Sequence, residues 1–147
     1  MSSDSGQTVQ EQLFRQVTLG DLAAIRRYVR QAAAAGGLDG TALEELVLAA
    51  NEALSNIIRH GFKGQPADIS VTVACSPEAI EVTLRDQGPA FDPHDAPPPD
   101  TSLPLEQRPF GGLGVQLMRE LCDGLEYRRE TSGLNELRLQ KRMDHTD

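Results

Sequence analysis

The stretch EELVLAANEALSNIIRHGF, residues 44–62, predicts an amphipathic helix. Apolar residues recur three or four positions apart, which is the spacing of one helix face. They are Leu43, Leu46, Val47, Ala50, Leu54, Ile57 and Ile58. Thr41 and Glu44 predict a capping box that starts the helix, and Gly61 predicts its end. We therefore expect one helix that buries this face against a core.

Two polar residues of this helix, Glu52 and Asn56, call for an explanation. Each residue turns a helix by about 100°, so both lie one turn apart and point away from the apolar face. Asn disfavours a helix interior because its short amide competes for nearby backbone groups. A solvated polar face is one interpretation. The other is a site in which Asn56 offers an oxygen to a hard cation such as Mg²⁺ and Glu52 acts as a general base.

The segments around this helix predict an α+β domain. A helix over residues 21–35 precedes it and is stopped by Gly36. A further helix follows over residues 115–122. Alternating strands are expected over residues 12–19, 68–75, 79–86, 124–131 and 135–142. The order β-α-α-β-β-loop-α-β-β favours a mixed, mostly antiparallel sheet with the helices on one face.

A carboxylate stands at the end of the strand over residues 79–86. Its inward side carries Ile80, Val82 and Leu84, and Asp86 has the same parity. A buried carboxylate needs a hydrogen-bond donor, which an Arg or a turn cap at Gln87 and Gly88 would supply. Alternatively, Gly88 would let a flat ligand approach the backbone beside Asp86.

Residues 87–110 contain seven of the nine prolines and no periodic apolar pattern. A long loop of this kind in a compact domain is either functional or disordered. It ends in GGLG, residues 111–114, at the start of the next predicted helix. Free N–H groups at a helix N-terminus bind phosphate, although the glycines also fit a simple hinge. No Lys follows them, so the run is not a P-loop.

Composition limits the classes of protein. A chain of 147 residues favours a single domain, here 11–142, between tails at 1–10 and 143–147. The net charge of −8, without a long basic run, argues against nucleic acid or anionic lipid as the main partner. No apolar run could cross a bilayer, and the start lacks a signal-peptide pattern. Cys75 and Cys122 are expected to be buried free thiols in a reducing cytoplasm.

Three motifs in this order resemble those of the GHKL (Bergerat-fold) ATPase superfamily. NEALSNIIRHGF is similar to its N-box, DQGPAFDP to its Asp-x-Gly box, and GGLGVQLMREL to its second glycine box. Within the superfamily, the chain looks most like bacterial anti-sigma-factor serine/threonine kinases. The resemblance implies a two-layer α/β sandwich that holds ATP and Mg²⁺ beneath a lid, residues 90–110.

The resemblance also implies roles for individual residues. Asn56 would bind Mg²⁺, Glu52 would be the catalytic base, Asp86 would accept a hydrogen bond from the adenine amino group, and Gly88 would lie beneath the ring. Phosphates would be bound by Gly111, Gly112, Leu113 and Gly114. Two positions depart from the family pattern: Ala90 replaces a frequent glycine, and Asn135 stands where a Thr beside adenine is common.

The implied function is an ATP-dependent protein serine/threonine kinase. Its substrate would be a STAS-type anti-anti-sigma protein, and it would also sequester a sigma factor. The alternatives are an ATP-gated binding switch with little or no transfer, and a signalling ATPase domain without any sigma factor. A homodimer fits the same resemblance. Arg26, Arg27 and Arg30 form either a partner surface or a solvated helix flank.

Overall fold

The computed structural model describes residues 7–90 and 112–143, which form a five-stranded sheet with a helical layer on one face. The elements are β1 (Thr8–Val17), α1 (Leu22–Ala35), α2 (Gly40–Asn56), β2 (Ala67–Cys75), β3 (Ala79–Asp86), α3 (Gly112–Leu121), β4 (Gly124–Arg129) and β5 (Asn135–Arg142). The strand order is β1-β2-β3-β5-β4, and all four pairings are antiparallel. The predicted α+β class and element order are confirmed; the described sheet contains no parallel pair.

The sheet topology brings the end of β3 beside the start of β5. β2 and β3 form the predicted hairpin around the turn at Ser76, whose hydroxyl accepts from Ala79 N–H. β5 then lies between β3 and β4, and its register pairs Asp86 with Asn135. Arg129, the last residue of β4, pairs with Asn135 on the other side. Three strand ends therefore meet at one edge of the domain.

The two faces of the sheet differ in chemistry. The helix-covered face is apolar and includes Ile69, Val71, Val73, Ile80, Val82 and Leu84, all nearly inaccessible to solvent. The opposite face carries an ion-pair network around Glu136, which is only 3% exposed and lies 2.8 Å from Arg85 and 3.1 Å from Arg138. Burial raises the pKa of Glu136, but these arginines outweigh that effect and leave the pKa below its ordinary value.

The predicted capping box at Thr41 and Glu44 is wrong. Asp39 is the N-cap of α2, and its carbonyl accepts the Leu43 N–H at 3.2 Å. The helix is assigned from Gly40, whose φ of +59° is a left-handed conformation that glycine reaches without steric cost. Glu44 is instead paired with Arg30 of α1 at 2.6 Å.

The first strand begins at Thr8 rather than at residue 12, and so includes residues 8–10 of the expected tail. It pairs with β2 from Thr8–Cys75 to Val17–Ala67, with a register shift after Phe14. Backbone pairing extends the strand although most of its side chains are exposed. Residue 19 belongs to a 3₁₀ turn, Leu19–Asp21, not to the strand.

Two of the three α1 arginines make contacts within the domain. Arg26 donates to Asn51 Oδ1 at 2.8 Å, and Arg30 pairs with Glu44. They connect α1 to α2, so the predicted basic cluster is only partly a solvated flank. Arg27 is exposed.

The predicted lid, residues 90–110, lies outside the described residues except for Ala90. The ends of two other segments shift slightly, since α3 ends at Leu121 and β4 at Arg129. Both cysteines are free as expected, with Cys75 buried and Cys122 only half-buried. Across the described part of the chain, no helix has the length and apolar character needed to cross a membrane.

Candidate nucleotide site

A pocket lies between α2, α3 and the edge where the strand ends meet. It encloses about 380 Å³ of space free of protein atoms, including its open mouth. Of this space, about 20 Å³ is interior volume that a water-sized sphere can enter, and much of the rest is open to solvent. The lining residues are Ala53, Asn56, Ile57, Gly61, Asp86, Pro89, Met118, Tyr127, Asn135 and Leu137. Asn56 and Asp86, far apart in sequence, thus share one cavity.

Asn56 is buried, with only 8% of its surface exposed. Its burial excludes the interpretation of Asn56 as part of a solvated polar face. α2 packs against α3 as well as the sheet and α1, so a second line of residues, Ala49, Ala53 and Asn56, is buried beside the predicted apolar face. Ala49 and Ala53 are four residues apart, so they lie on the same side of the helix, and this pair is the feature of the sequence that could have predicted the second packed face.

The Asn56 amide has one unsatisfied atom within the described part of the chain. Its Nδ2 atom is buried and has no hydrogen-bond partner among the described residues. An unsatisfied buried polar group costs about 1–3 kcal/mol, so a native structure that keeps one calls for a reason. An amide that faces a ligand cavity provides that reason. The unpaired Nδ2 suits a hydrogen-bond acceptor of a ligand, whereas Oδ1 of the same amide is the kind of oxygen that binds Mg²⁺ in nucleotide sites.

Asn56 is followed by a π-helical turn, Ile57–Gly61. The Phe62 N–H donates to the Ile57 carbonyl at 2.9 Å, which widens the helix by one residue per turn. Turns of this type occur frequently at functional sites. Here the turn ends at Gly61, which lines the pocket.

Gly88 has a packing role that the sequence did not reveal. A Cβ atom there would lie 2.6 Å from Cε1 of Phe62 and 3.0 Å from Asp86 Oδ1. The close approach thus involves the Phe62 ring and the neighbouring carboxylate. The next residue, Pro89, lines the pocket.

Asp86 is 6% exposed, as its strand parity predicted. Its Oδ1 atom accepts hydrogen bonds from the Gly88 N–H at 2.7 Å and from Asn135 Nδ2 at 3.0 Å. The predicted turn cap is present, and the second donor is an Asn rather than an Arg. Both donors engage the same oxygen, and no donor from residues 7–90 or 112–143 is recorded at Oδ2.

Asn135 was identified from the sequence only as a departure from a family pattern. It is 5% exposed, and besides Asp86 its Nδ2 atom contacts the carbonyls of Gly88 at 2.8 Å and Pro89 at 3.2 Å. The position of Asn135 as the first residue of the last strand does not by itself predict these contacts. They depend on the pairing of β5 with β3.

Two residues of β4 complete the polar cluster and were missed by the sequence analysis. The Tyr127 hydroxyl donates to Asn135 Oδ1 at 2.6 Å, and Arg129 Nη1 donates to the same oxygen at 2.8 Å. Arg129 Nη1 also lies 3.0 Å from the Gly88 carbonyl. The alternation of β4 suggested only a strand, because long-range hydrogen bonds leave no local pattern.

The remaining candidate residues lie around this pocket or outside the described chain. Glu52 is half-buried on α2, one turn before Asn56, and does not line the pocket. The backbone of Gly112, Leu113 and Gly114 forms the first turn of α3, which thus begins three residues before the predicted helix. Gly111 lies outside the described residues.

The sequence was also compared with known proteins. The pattern of the family described as histidine kinase-like ATPase domain matches residues 16–141. The serine/threonine-protein kinase BtrW of Bordetella bronchiseptica is 38% identical over 95 residues, which cover 64% of this chain and 66% of that protein. The serine-protein kinase RsbW of Bacillus cereus is 30% identical over 88 residues, 57% of this chain and 55% of that protein. The chain thus spans just under two thirds of the first relative and about half of the second.

Proposed function

This chain belongs to the family of histidine kinase-like ATPase domains, and we propose that it is an ATP-dependent protein serine/threonine kinase. The observation that carries the proposal is the pocket where two buried polar residues, Asn56 and Asp86, meet. The Nδ2 atom of Asn56 has no hydrogen-bond partner among the described residues. A half-buried glutamate, Glu52, lies one helical turn from that amide. The kinase names of the two relatives support the same class of activity.

In this proposal the adenine base binds at the open mouth of the pocket. Asp86 accepts a hydrogen bond from the adenine 6-amino group through Oδ2, since Oδ1 already accepts from Gly88 and Asn135. Asn56 provides an amide oxygen for Mg²⁺. The bound Mg²⁺ would neutralise phosphate charge. Backbone N–H groups at the start of α3 would bind the phosphates, a role for which its glycine-rich first turn is suited. The residues assigned to it are Gly111, Gly112, Leu113 and Gly114.

Glu52 is the proposed base for phosphoryl transfer. It would orient a serine or threonine hydroxyl of the partner and take its proton. The hydroxyl oxygen then forms a bond to the γ-phosphorus while the bond to the β,γ-bridging oxygen breaks, and ADP leaves. A base of this kind contributes about 10²–10⁴-fold to a rate.

The proposed protein substrate is a STAS-type anti-anti-sigma protein, and a sigma factor is a second proposed partner. Arg27, which is exposed on α1, is available to an acidic partner. We also propose a homodimer, supported by the sheet-edge strand β1 with Val9 61% and Leu13 47% exposed. The two free thiols support a reducing, cytoplasmic location.

An ATP-gated binding switch is the second candidate function. The observation in its favour is that Glu52 does not line the pocket that holds Asn56 and Asp86. A switch needs nucleotide binding but no base, so this position of Glu52 would be of no consequence for it.

Transfer of labelled γ-phosphate separates the two candidates. The chain is used to capture proteins from its native cell with and without Mg-ATP, and each captured partner is then incubated with labelled ATP. A kinase labels a serine or threonine that mass spectrometry can locate. If no bound partner is labelled while ATP still changes partner affinity, the kinase proposal is wrong and the switch replaces it.

A further inference from the structure

The orientation of the Asn135 amide is fixed by its neighbours. Oδ1 faces Arg129, whose guanidinium can only donate hydrogen bonds. Nδ2 faces the Gly88 and Pro89 carbonyls, which can only accept them. Rotating the amide by 180° would place donor against donor and acceptor against acceptor. The group therefore has a single favourable orientation, in which Nδ2 also reaches Asp86.

This orientation determines how the Asp86 carboxylate is presented. Oδ1 is held between Asn135 Nδ2 at 3.0 Å and the Gly88 N–H at 2.7 Å. A carboxylate held through one oxygen has little freedom to rotate about its terminal bond. In the proposed site, Oδ2 is the oxygen that remains to accept a hydrogen bond from a ligand. Tyr127, which donates to Asn135 from β4, supports the arrangement from the other side.

We propose that Asn135 is a positioning residue that fixes the Asp86 carboxylate and so sets the preference of this pocket for a purine with a 6-amino group. An amino group donates to the fixed carboxylate oxygen, whereas the 6-oxo group of guanine would face it as a second acceptor. The inference rests on the proposed binding of ATP. Asn135 itself has no donor left for the base, since its Nδ2 hydrogens already serve three acceptors.

The test compares Asn135→Ala with the wild-type chain for three ligands: Mg-ATP, Mg-GTP and the Mg-complex of purine riboside triphosphate, which lacks the 6-amino group. Dissociation constants are measured by calorimetric titration. Loss of a hydrogen bond to a charged group should weaken ATP binding by about tenfold. Binding of the analogue without the amino group should change little, so the preference for ATP over that analogue falls by about tenfold.

Tyr127→Phe provides a second, milder variant because it keeps the ring at the pocket and removes only the hydroxyl that donates to Asn135. It should lower the same preference by about threefold, in line with the smaller worth of a neutral hydrogen bond. The matched control is Asn51→Ala, which replaces another Asn whose side chain is hydrogen-bonded outside the pocket. The control should keep the wild-type preference.

The outcomes distinguish this inference from the proposed function. If the wild type prefers ATP and both variants keep that preference, the role of Asn135 is wrong while the nucleotide site stands. If a variant weakens all three ligands equally, Asn135 supports the fold and not recognition, and the inference is again overturned. A wild type that binds none of the three ligands overturns both proposals.

Discussion

Replacing Asn56 by alanine should make the protein more stable and, at the same time, remove its Mg²⁺-dependent affinity for ATP. The side chain is buried, its Nδ2 atom has no partner among the described residues, and it continues a line of two alanines on α2. Asn56→Ala would extend that line, Ala49 and Ala53, by a third alanine. The usual expectation for truncating a buried residue is the opposite, a loss of stability.

The magnitude follows from three contributions. Alanine is a better helix former than Asn by up to about 0.7 kcal/mol. Removing an unsatisfied buried group relieves about 1–3 kcal/mol. The space left by the amide costs about 1 kcal/mol in lost contacts, although the cavity beside Asn56 already limits what it contacts. A net gain of about 1 kcal/mol should raise the melting temperature by about 2–4 °C for a chain of this size.

Thermal unfolding without nucleotide measures the first effect, and calorimetric titration of ATP with Mg²⁺ or with a chelator measures the second. Asn51→Ala is the matched control on the same helix, because its amide accepts a hydrogen bond from Arg26 and alanine there loses that bond. A variant Asn56→Ala that melts at a lower temperature than the wild type and keeps its Mg²⁺ dependence would refute the reasoning on both counts.

Three further predictions concern single residues. Asp86→Asn should weaken ATP binding by about 1.5–3 kcal/mol and GTP binding less; equal losses in a titration would contradict adenine recognition. Glu52→Gln should slow transfer to the partner by about 10²–10⁴-fold with little change in ATP affinity, whereas Glu45→Gln, on the same helix but paired with Lys141, should not. Normal labelling by Glu52→Gln would remove Glu52 from the chemistry. Burial raises the pKa of Cys122 to about 11 from an ordinary value of 9.0, so its contribution to stability is present below pH 9.0 and is lost as pH rises towards 11. Measured by urea unfolding, the free energy of unfolding of Cys122→Ala should fall less between pH 9.0 and 11 than that of the wild type. An unchanged pH profile would exclude the thiol as the cause of the alkaline loss of stability.

The elements that the sequence predicted well are those with a strong local pattern. β3 and β5 have the expected bounds, and β2 differs by one residue, because alternation of apolar and polar residues directly reflects a sheet with one buried face. Asp86 was correctly expected to be buried from its parity alone. β1 was harder to predict, since most of its residues are exposed and backbone pairing extends it to Thr8.

The start of α2 and the surroundings of Asn56 could not be read from a helical pattern. At the start of α2 the capping-box pattern predicted Thr41 as the cap, whereas the structure has Asp39 there and Gly40 in a left-handed conformation. For Asn56, an angle measured from one apolar face assumes that the helix has only one packed side. α2 also packs against α3, so Asn56, although it points away from the first apolar face, is buried at a cavity and not in solvent.

The distribution of buried polar residues supports the assignment of the pocket independently of any motif. Among the described residues, the buried polar or charged ones are Asn56, Thr83, Asp86, Asn135 and Glu136. Strand parity places Thr83 and Glu136 on the face opposite the helices, where Arg85 and Arg138 neutralise Glu136. The other three lie together at one pocket on an otherwise apolar face. Folding alone would favour apolar residues there, since buried polar groups reduce stability unless they are fully paired. A ligand that satisfies the Asn56 amide and the open oxygen of Asp86 should therefore stabilise the fold as it binds, and saturating Mg-ATP should raise the melting temperature of the wild type more than that of Asn56→Ala.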